Sequence, residues 1–485
     1  MTILDAIHDP QLFRPLFKDI DTWKTWFVVL KALFALPMTE DDRLLFHQLT
    51  GRTTPPREQV QEGWFIKGRR AGGSFIVALI AVFLACFQNY KPHLALGERG
   101  IIMIIAADRK QSRVIMRYLS AMLQSVPMLA AMIVRQDAES IELDNSIVIE
   151  ITTANYRTIR GYTVVAALCD EIAFWRSEES TNPAEEILAA LRPAMATIPG
   201  ALLLGLSSPY KRSGPLYNAY KRHYGHGESP VLVIQAATRT MNPTVPQRVI
   251  DDAMERDPAA ASAEYLAQFR SDVGSFLDAE LIERAIERGR RERPPQDRFR
   301  YVAFTDPSGG SHDSFTLAIA HAEGDRYVLD VCRAVKPPFD PSCVVKEYAA
   351  LLKTYRLYEV TGDHYSGEWV RESFSKCGIT YRHSDLTKSE LYLESLPLFS
   401  QGGINLLDIQ ALTVELIQLE RRTGRNGRDT VDHPPGTGAR DDLANSCCGA
   451  LTLLSQSERR TGYMVNFVTG RILTDRELWR RGLLP

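Results

Sequence analysis

The chain has 485 residues, of which 45% are apolar and 24% are charged. At roughly 100–200 residues per domain, this length predicts two to four domains, and the composition is that of a globular rather than a disordered chain. Lysine and arginine total 57 against 59 aspartates and glutamates, a formal net charge of −2. The lack of a basic excess argues against a passive nucleic-acid coat protein, although a local basic groove can lie on a neutral molecule.

Neither a membrane span nor a disulfide framework is expected. The first residues lack the basic-then-apolar pattern of a secretory signal. The longest apolar run, Phe75–Phe87, has 13 residues, fewer than the roughly 20 that cross a bilayer, so we expect a buried helix. The seven cysteines are an odd number without a C-x-x-C pair, which favours free thiols in a reducing cytoplasm over a zinc site.

The first half of the chain alternates between helical and strand-like patterns. Residues 1–60 predict a helical extension that ends at the Pro55-Pro56 pair. A short strand, Trp64–Ile66, is followed by a glycine-rich turn and then by the apolar helix from Phe75. Continuous apolar runs of strand length come next, and helical patterns separate most of them, which predicts an α/β domain over residues 61–275. These runs are Ile101–Ala107, Ile147–Thr153, Val164–Cys169 and Ala201–Leu206.

The second half begins after a polar, charge-dense segment that contains Pro294-Pro295. We expect residues 276–300 to be a linker that begins with a helix, residues 301–456 a second α/β domain and residues 457–485 a tail. The expected strands of this domain are Tyr301–Thr305, Phe315–His321, Tyr327–Arg333, Tyr358–Thr361 and Ile379–Arg382. The expected helices are Pro341–Tyr355, Trp369–Cys377 and Ile409–Arg421.

A candidate phosphate-binding turn lies between the strand at Trp64 and the helix at Phe75. Its residues, Lys67-Gly68-Arg69-Arg70-Ala71-Gly72-Gly73-Ser74, follow the spacing of the P-loop pattern G-x-x-x-x-G-K-[ST]. Glycines let backbone N–H groups turn towards phosphate oxygens, the helix N-terminus adds positive potential, and Ser74 is placed to bind Mg²⁺. The position of the usual lysine holds Gly73. Lys67 is the nearest substitute, and Arg69 and Arg70 are also available.

Two carboxylates, Asp170 and Glu171, follow the expected strand Val164–Cys169. Asp170 would hold Mg²⁺ through water, and Glu171 would polarise the attacking water. The alternative is a solvated strand end that caps a helix. Ser207-Ser208 ends the following strand and could sense a γ-phosphate, although the same residues are common in ordinary turns.

A second group of carboxylates occurs in the second half of the chain. Asp306 and Asp363 follow strands, and Asp441-Asp442 begins a late helix. The order of hairpin, helix and strand between them is the ribonuclease H layout, in which such a cluster holds two divalent metals about 4 Å apart. Asp313 could join the cluster. Each aspartate taken alone is more typical of a cap or a turn.

The combination of the two sites resembles the large subunit of tailed-phage and prophage terminases, over roughly residues 45–455. Lys67–Ser74 is similar to the arginine-containing Walker A segment of that family, and Asp170–Trp175 is similar to its Walker B segment. Gly205–Pro209 resembles the coupling motif. The remaining similar segments are Thr50-Gly51-Arg52 with Pro55-Pro56, Lys388–Tyr392, Leu396–Leu398 and Asp432–Pro435.

The resemblance implies a P-loop ATPase of the additional-strand (ASCE) type followed by a ribonuclease H-like nuclease. It implies ATP with Mg²⁺ as fuel and two divalent metals, Mg²⁺ or Mn²⁺, at the nuclease site. Asp306, Asp363 and Asp441 would be the metal carboxylates, with Asp442 as support or as the true third ligand. Arg160 matches an arginine that reaches the ATP of a neighbouring subunit, and a local ion pair is the alternative for it.

The family's partners and location follow as further expectations. They are double-stranded DNA, the portal protein of the procapsid, the small terminase subunit and a homo-oligomeric ring on the portal, such as a pentamer, formed from subunits that are monomeric in solution. The location would be the cytoplasm of the bacterial host and, transiently, the procapsid portal. Local basic residues near the nuclease, Arg421, Arg422, Arg425 and Arg428, are candidates for DNA contacts, with a solvated loop as the alternative.

Two departures from the family pattern leave other functions open. Gly73 replaces the usual lysine, and Ala439-Arg440-Asp441-Asp442 lacks the histidine of the frequent Gly-His-Asp-Asp sequence. A nuclease with a regulatory or vestigial ATPase half is one alternative, and a non-catalytic assembly protein of a defective prophage is another. If Lys67 replaces the missing lysine, Lys67→Ala is expected to reduce ATP hydrolysis more than Gly73→Ala.

Overall fold

The structure is a computed structural model that describes residues 1–153, 159, 161–175, 183–311, 313–363, 368–424, 428–434, 439–461, 464–465 and 472–473. The chain divides into two units, Met1–Asp272 and Val273–Pro485. Each unit encloses its own hydrophobic core. Both units have the α/β class expected from the sequence, with a sheet covered by helices.

The first unit is built around an eight-stranded sheet in the order β3-β4-β5-β2-β6-β7-β1-β8. Its strands are β1 (Glu62–Lys67), β2 (Gly100–Ala106), β3 (Ile133–Gln136), β4 (Ser140–Leu143), β5 (Ile147–Thr153), β6 (Thr163–Asp170), β7 (Leu202–Ser207) and β8 (Val231–Ala236). Its helices are α1 (Ile3–His8), α2 (Lys24–Leu33), α3 (Glu40–Thr50), α4 (Gly73–Phe87), α5 (Arg109–Ser125), α6 (Pro127–Ala130), α7 (Pro183–Met195), α8 (Pro215–His223), α9 (Thr238–Met241), α10 (Gln247–Arg256) and α11 (Pro258–Leu266).

The order of the parallel strands places two candidate segments at one edge of this sheet. Strand β1 pairs in parallel with β7 and β8, and β7 pairs in parallel with β6. A single strand therefore separates β1, which leads into the glycine-rich turn, from β6, which ends at Asp170. This is the additional-strand arrangement of P-loop ATPases. Because parallel strands end at the same edge, Lys67, Asp170 and Ser207 meet there.

Burial explains why these strands form continuous apolar runs. Every residue of β2 and β7 is buried. In α4, the residues from Ile76 to Ala85 are all buried as well. A parallel sheet with helices on both faces leaves no solvent-facing positions, so its strands lose the alternation of a half-exposed strand. The apolar run at Phe75–Phe87 is therefore a core helix, as expected.

The second unit contains a seven-stranded sheet in the order β10-β16-β13-β12-β11-β14-β15 and a three-stranded sheet in the order β18-β17-β9. Its strands are β9 (Val273–Ser275), β10 (Ile286–Glu287), β11 (Tyr301–Asp306), β12 (Phe315–Glu323), β13 (Arg326–Val335), β14 (Glu359–Gly362), β15 (Thr380–His383), β16 (Ile404–Leu407), β17 (Glu420–Thr423), β18 (Asp429–Asp432), β19 (Met464–Val465) and β20 (Ile472–Leu473). Its helices are α12 (Ala279–Ala285), α13 (Pro341–Thr354), α14 (Glu368–Lys376), α15 (Lys388–Ser400), α16 (Gln410–Gln418) and α17 (Asp442–Thr461).

The larger sheet has the ribonuclease H arrangement. Strands β11, β12 and β13 form an antiparallel meander, and β14 then pairs in parallel with the other side of β11. Strand β15 continues the sheet in parallel beyond β14. Thr305 pairs with Gly362 across β11 and β14, so the residues that follow, Asp306 and Asp363, lie at the same edge.

Three segments differ from the sequence-based expectation. Residues 276–300 contain the expected helix, α12, but the part after it also contains the unexpected strand β10, which pairs with β16 in the larger sheet. The helix expected at Ile409–Arg421 ends at Gln418, and Glu420–Thr423 is a strand bonded on both sides. Two ladders of backbone hydrogen bonds outweigh the helical pattern there. In the expected tail, Met464–Val465 pairs with Ile472–Leu473.

Two further properties bear on the expected class of protein. None of the helices in the described ranges is both long and apolar enough to cross a membrane. All seven cysteines are free thiols. Burial raises the pKa of the Cys86 thiol to about 12, so this sulfur is an inert part of the core rather than a nucleophile.

Candidate active sites

Lys67 occupies the space above Gly73. A Cβ atom added to Gly73 would lie 2.5 Å from Cε of Lys67 and 2.9 Å from its Cδ. The Lys67 side chain is buried, and its Nζ lies 2.8 Å from Oε1 of Glu171. Lys67 therefore fills the space that a side chain at position 73 would occupy, and the glycine at 73 leaves room for it.

Side chains from elsewhere in the first unit fix the glycine-rich turn through its carbonyl groups. Oγ1 of Thr238 donates to the carbonyl of Arg69 at 2.8 Å, and Nδ2 of Asn242 donates to that of Arg70 at 2.8 Å. Nε1 of Trp26 donates to the carbonyl of Ala71 at 2.6 Å. These bonds use the acceptors of the turn, whereas anion binding in such a turn uses backbone N–H donors.

Two positive φ values set the path of the turn. Gly72 has a φ of +88° and Arg70 a φ of +63°. Glycine adopts this region freely, but an arginine is strained there. The hydrogen bond from Asn242 to the Arg70 carbonyl helps to hold Arg70 in this conformation. Gly68 begins the turn after β1, and its N–H donates to the carbonyl of Ala236 at 3.0 Å.

Asp170 ends β6 fully buried and contacts the start of α4. Its Oδ2 accepts hydrogen bonds of 2.9 Å from Oγ of Ser74 and from Nε2 of Gln111. Burial raises the pKa of Asp170, although the ammonium of Lys67 opposes this. Its Oδ1 is buried and has no hydrogen-bond partner among the described residues. A buried orphan carboxylate oxygen beside a serine hydroxyl fits the oxygen-only coordination of Mg²⁺.

Glu171 connects the lysine to the next strand. Its φ is +52°, a strained conformation that costs a non-glycine residue about 1–3 kcal/mol and that clusters at functional sites. Oε2 accepts hydrogen bonds from Oγ of Ser207 at 3.1 Å and from the backbone N–H of Ser208 at 3.3 Å. Burial tends to raise the pKa of Glu171, but the Lys67 ammonium and these donors lower it below its ordinary value. The carboxylate is therefore charged and paired.

The charge of Lys67 follows from the same pair. Burial alone lowers the pKa of this ammonium, but the charges of Glu171 and Asp170 outweigh burial and raise it. The arginines of the turn are placed differently. Nη1 of Arg69 lies 3.2 Å from Oε1 of Glu264 at the exposed surface, and the Arg70 side chain is also exposed. Arg160 lies outside the described residues, so its role stays a prediction.

The expected carboxylates of the second unit line one pocket. Asp306 ends β11, Asp363 follows β14, and Asp441 and Asp442 stand at the start of α17. Asp313 lies on the loop between β11 and β12. All five residues line a cavity of about 370 Å³ at this edge of the sheet. The three separated chain segments thus converge, as the ribonuclease H layout predicted.

Helix α17 is tied to the β-sheet by hydrogen bonds around this pocket. Nδ2 of Asn445 donates to Oδ2 of Asp306 at 2.8 Å. The backbone N–H of Ser314 donates to Oδ2 of Asp442 at 2.9 Å, and Oγ1 of Thr316 donates to the Asp442 carbonyl at 2.8 Å. These bonds hold the helix start and its two aspartates against β11 and β12.

Burial, reinforced by neighbouring carboxylates, raises the pKa of two of these aspartates. Burial raises the pKa of Asp306 to about 7, and the charges of Asp442, Asp363 and Asp441 add to the shift while Asn445 opposes it. Burial and the Asp441 charge also raise the pKa of Asp442 against the hydrogen bond from Ser314. Several clustered carboxylates, of which Asp441 is buried and Asp306, Asp363 and Asp442 are half-buried, fit a pair of hard divalent cations, which would remove this mutual repulsion.

Asp441 is held from a different helix. Its Oδ2 accepts a hydrogen bond of 2.8 Å from the buried Tyr392 hydroxyl and lies 2.9 Å from Nζ of Lys388. Nζ of Lys388 also lies 2.9 Å from Oδ1 of Asp432. Burial lowers the pKa of Lys388, but the two carboxylates outweigh it and raise it. Asp432, His433 and Asp441 offer ligand atoms that lie within 4.8 Å of one another.

Although the segment Lys388–Tyr392 was among those singled out by similarity, the sequence predicted no role for the residues that position the carboxylates. These are Gln111, Lys388, Tyr392, Glu415 and Asn445. Asn445 could have been found, because it lies one helical turn after Asp441 and Asp442 and so shares their face. Oε2 of Glu415 accepts a hydrogen bond from the N–H of Ala444 at 2.9 Å, and burial raises the pKa of Glu415 to about 8. Nothing in the sequence near Glu415 signals this contact.

The basic segment near the nuclease pocket is partly committed to local contacts. Arg421 forms an ion pair with Asp429 across the β17–β18 pair. Nη2 of Arg422 lies 3.6 Å from Oε2 of Glu420 and donates to the His433 carbonyl at 3.3 Å. Arg428 is exposed, and Arg425 lies outside the described residues. Contact of this segment with DNA stays a prediction.

The strand orders define the class of fold: an α/β domain with the strand arrangement of P-loop proteins is followed by a domain with ribonuclease H topology. The solved structures similar to this chain include large terminases of phages. For the large terminase of bacteriophage HK97, the identity is 14% over 81% of this chain and 91% of that chain, with a TM-score of 0.35. For the large terminase of a thermophilic bacteriophage, the identity is 12% over 90% of this chain and 99% of that chain, with a TM-score of 0.38.

The chain is also similar to the large terminase nuclease of the thermophilic phage G20c with bound magnesium. The identity is 17% over 37% of this chain and 96% of that chain, with a TM-score of 0.32. No protein-family model matches the sequence, and no curated protein matches it significantly. The role of each site therefore rests on its own residues.

Proposed function

We propose that this chain is the large subunit of a phage or prophage terminase. It would use ATP to drive double-stranded DNA into a procapsid, and it would cut concatemeric DNA with a metal-dependent nuclease. One observation carries the proposal: two separate sheets in one chain each end in a cluster of buried or half-buried carboxylates, one beside a phosphate-type turn and one in a ribonuclease H arrangement.

In the first site, the nucleotide would change the partner of Lys67. The ammonium now neutralises Glu171 at 2.8 Å, and the phosphates of ATP would offer it a stronger anionic partner. If the Lys67 ammonium pairs with the phosphates instead, Glu171 would be free to orient and polarise the attacking water. Ser74 and Asp170 would hold the Mg²⁺ that accompanies ATP.

The strand β7 would carry the result away from the site. Oγ of Ser207 donates to Glu171 at 3.1 Å and accepts from the N–H of Ala173 at 3.3 Å. A change of partner at Glu171 therefore changes the bonding of the end of β7 and of the turn after β6. This gives the loss of phosphate a mechanical path through elements that contact each other directly.

In the second site, Asp306, Asp363, Asp441 and Asp442 would hold two divalent cations, Mg²⁺ or Mn²⁺. When bound, such ions activate water and stabilise the leaving oxygen of a phosphodiester. The residues of this chain fix where the ions can lie: Asn445 orients Asp306, and Tyr392 orients Asp441. The proposed partners are double-stranded DNA, the portal protein, the small subunit and further copies of the chain in a ring, in the host cytoplasm.

The test measures both activities of the purified full-length chain. We expect ATP hydrolysis that requires Mg²⁺ and rises when linear double-stranded DNA is added. We also expect cleavage of a supercoiled plasmid with Mn²⁺ or Mg²⁺, which EDTA abolishes. Cleavage without any nucleotide hydrolysis in the presence of DNA and procapsids would contradict the motor and favour a nuclease with a regulatory ATPase half.

The geometry weighs against that alternative. Its motive was the missing lysine at position 73, and Lys67 fills the corresponding space. A non-catalytic assembly protein would have no need for a strained Glu171 or for a carboxylate pocket whose aspartates repel one another. Strained residues and carboxylates with shifted pKa values lower the stability of a protein, and they cluster at functional sites.

A further inference from the structure

A lysine lies inside the carboxylate pocket of the second unit. Nζ of Lys388 lies 2.9 Å from Oδ2 of Asp441 and 2.9 Å from Oδ1 of Asp432. Ligand atoms of Asp432, His433 and Asp441 are close enough together to hold a metal ion. The cation between the two carboxylates in this structure is the chain's own ammonium.

One helix holds Asp441 with two donors. Lys388 and Tyr392 are four residues apart on α15 and therefore lie on the same face. Both donate to the same oxygen, Oδ2 of Asp441. Among the described residues, no hydrogen bond reaches Oδ1, so the second oxygen is the one left for a metal ion.

The two donors differ in what they contribute. The Tyr392 hydroxyl is buried and neutral, so it can only orient Asp441. The Lys388 side chain keeps 31% of its exposure and lines the pocket. It brings a full charge on a flexible four-carbon stem. Arg440, the other lysine or arginine of the pocket wall within the described part of the chain, donates to Oγ of Ser314 at 3.3 Å.

We propose that Lys388 is a catalytic cation of the nuclease site: it neutralises Asp441 in the metal-free protein, competes with the metal for that carboxylate, and then faces the scissile phosphate. This inference rests on the proposed nuclease function. A pocket lined by five aspartates repels the phosphodiester that it must admit, and an ammonium at its wall reduces that repulsion.

The test compares three variants of the full-length chain by calorimetric titration with Mn²⁺ and by plasmid cleavage at saturating Mn²⁺. Lys388→Met removes a positive charge next to a metal ligand, so it should bind Mn²⁺ roughly tenfold more tightly. The same variant should cut at least about tenfold more slowly, because the phosphate loses its cation. Lys388→Arg keeps the charge and should recover most of the cleavage.

Tyr392→Phe serves as the matched control because it removes an orienting donor to the same oxygen without changing the charge. It should bind Mn²⁺ several-fold more weakly, since loss of an outer hydrogen bond weakens a metal site. The opposite signs of the two changes separate a charge role from a positioning role. Thermal unfolding checks each variant, and Lys388→Gln replaces Lys388→Met if the latter does not fold.

Two results would overturn the inference in different ways. If Lys388→Met weakens Mn²⁺ binding as Tyr392→Phe does, or changes neither binding nor cleavage, Lys388 is only a structural tether and the nuclease proposal survives. If the wild-type chain binds no Mn²⁺ at all, the metal site itself is wrong, and the role of Lys388 falls with it.

Discussion

Lys67 and Gly73 act as a pair. The lysine side chain runs through the space that a side chain at position 73 would occupy, with 2.5 Å between Lys67 Cε and an added Cβ. Because Lys67 is buried and paired with Glu171, it cannot move aside without losing that partner. From the sequence alone, Lys67→Ala was expected to reduce ATP hydrolysis more than Gly73→Ala. The structure gives that position a specific requirement for glycine.

Gly73→Ala should therefore lower ATP hydrolysis by about tenfold, and Lys67→Ala by roughly a hundredfold or more, the usual cost of losing one stabilising cation. The double variant Lys67→Ala/Gly73→Ala should be no slower than Lys67→Ala alone, because the alanine acts only through the lysine. Steady-state hydrolysis by the four proteins checks this. Additive losses would show that Gly73 has a separate role in the turn.

A lysine restored to position 73 provides the converse experiment. Lys67→Ala empties the space above residue 73, and the backbone φ of Gly73 is not in the left-handed region. We expect Lys67→Ala/Gly73→Lys to recover part of the ATP hydrolysis that Lys67→Ala loses. Gly73→Lys alone should be inactive, since its side chain meets Lys67. If Lys67→Ala/Gly73→Lys and Gly73→Lys hydrolyse ATP at equal rates, the two positions do not share one site for the lysine side chain.

At the scale of elements, helix α17 is the piece that assembles the second site. It carries Asp442 and Asn445, and it contacts β12 through Thr316, whose Oγ1 also lies 2.6 Å from Oγ of Ser446. Thr316 is fully buried. The position of the helix start, and with it the distance between the aspartates, depends on such contacts.

Thr316→Val removes these hydrogen bonds while keeping the shape of the side chain. The variant leaves the Asp442 carbonyl without this donor, which should lower the free energy of unfolding by about 1–2 kcal/mol. The transition to measure is the one that shifts to higher temperature when Mn²⁺ is added. Mn²⁺ affinity should fall as well, because the helix start loses a tether. Differential scanning calorimetry with and without Mn²⁺ measures both.

Thr354→Val is the matched control for that experiment. Its Oγ1 donates to the Leu351 carbonyl at 2.7 Å on the exposed end of α13. Water can replace this bond, so the change should stay within about 0.5 kcal/mol. If the two valine variants behave alike, the Thr316 contacts do not position α17.

The elements also show what the sequence could predict. Every strand expected from an apolar run is present, with ends that differ by no more than two residues, because burial on both faces forces continuous apolar residues. Strands such as β3, β4, β8 and β17 were not expected. Strand β8 pairs with β1, and β17 pairs with β9 through Glu420 and Ser275, so both of these strands depend on partners far along the chain.

The sites follow the same division. Aspartates at strand ends were predictable because parallel strands share an edge. The groups that orient them were not, since Gln111 is 59 residues from Asp170, and Asn445 is 139 residues from Asp306. Contacts over such separations arise only when the sheets and helices have assembled. The displaced lysine lies between these cases, since the sequence offered Lys67 but could not exclude Arg69.

At the scale of the whole molecule, the stability of the metal-free protein depends on pH, because charging its clustered carboxylates is unfavourable. Burial raises the pKa of Asp306 to about 7 and that of Glu415 to about 8. Between about pH 4 and these values, the folded state binds more protons than the unfolded state. Stability therefore falls as pH rises through this range.

We expect the metal-free chain, kept in EDTA, to unfold at a lower temperature at about pH 8.5 than at about pH 6. Mn²⁺ at the higher pH should raise the unfolding temperature again, because it binds the ionised carboxylates. Asp306→Asn should reduce the dependence of the unfolding temperature on pH in the metal-free protein. Part of the dependence should remain, because Glu415 continues to titrate. An unfolding temperature that increases with pH over this interval without metal would be the wrong sign for buried carboxylates.

The division of the chain into two units, each with its own core, gives the two sites separate supports. The most direct measurement records ATP hydrolysis and Mn²⁺-dependent plasmid cleavage side by side for the wild type, Glu171→Gln and Asp306→Asn. We predict that Glu171→Gln loses hydrolysis and still cuts, and that Asp306→Asn loses cutting and still hydrolyses ATP. Hydrolysis by Glu171→Gln at the wild-type rate, or unchanged cleavage by Asp306→Asn, would contradict the assignment of two catalytic sites.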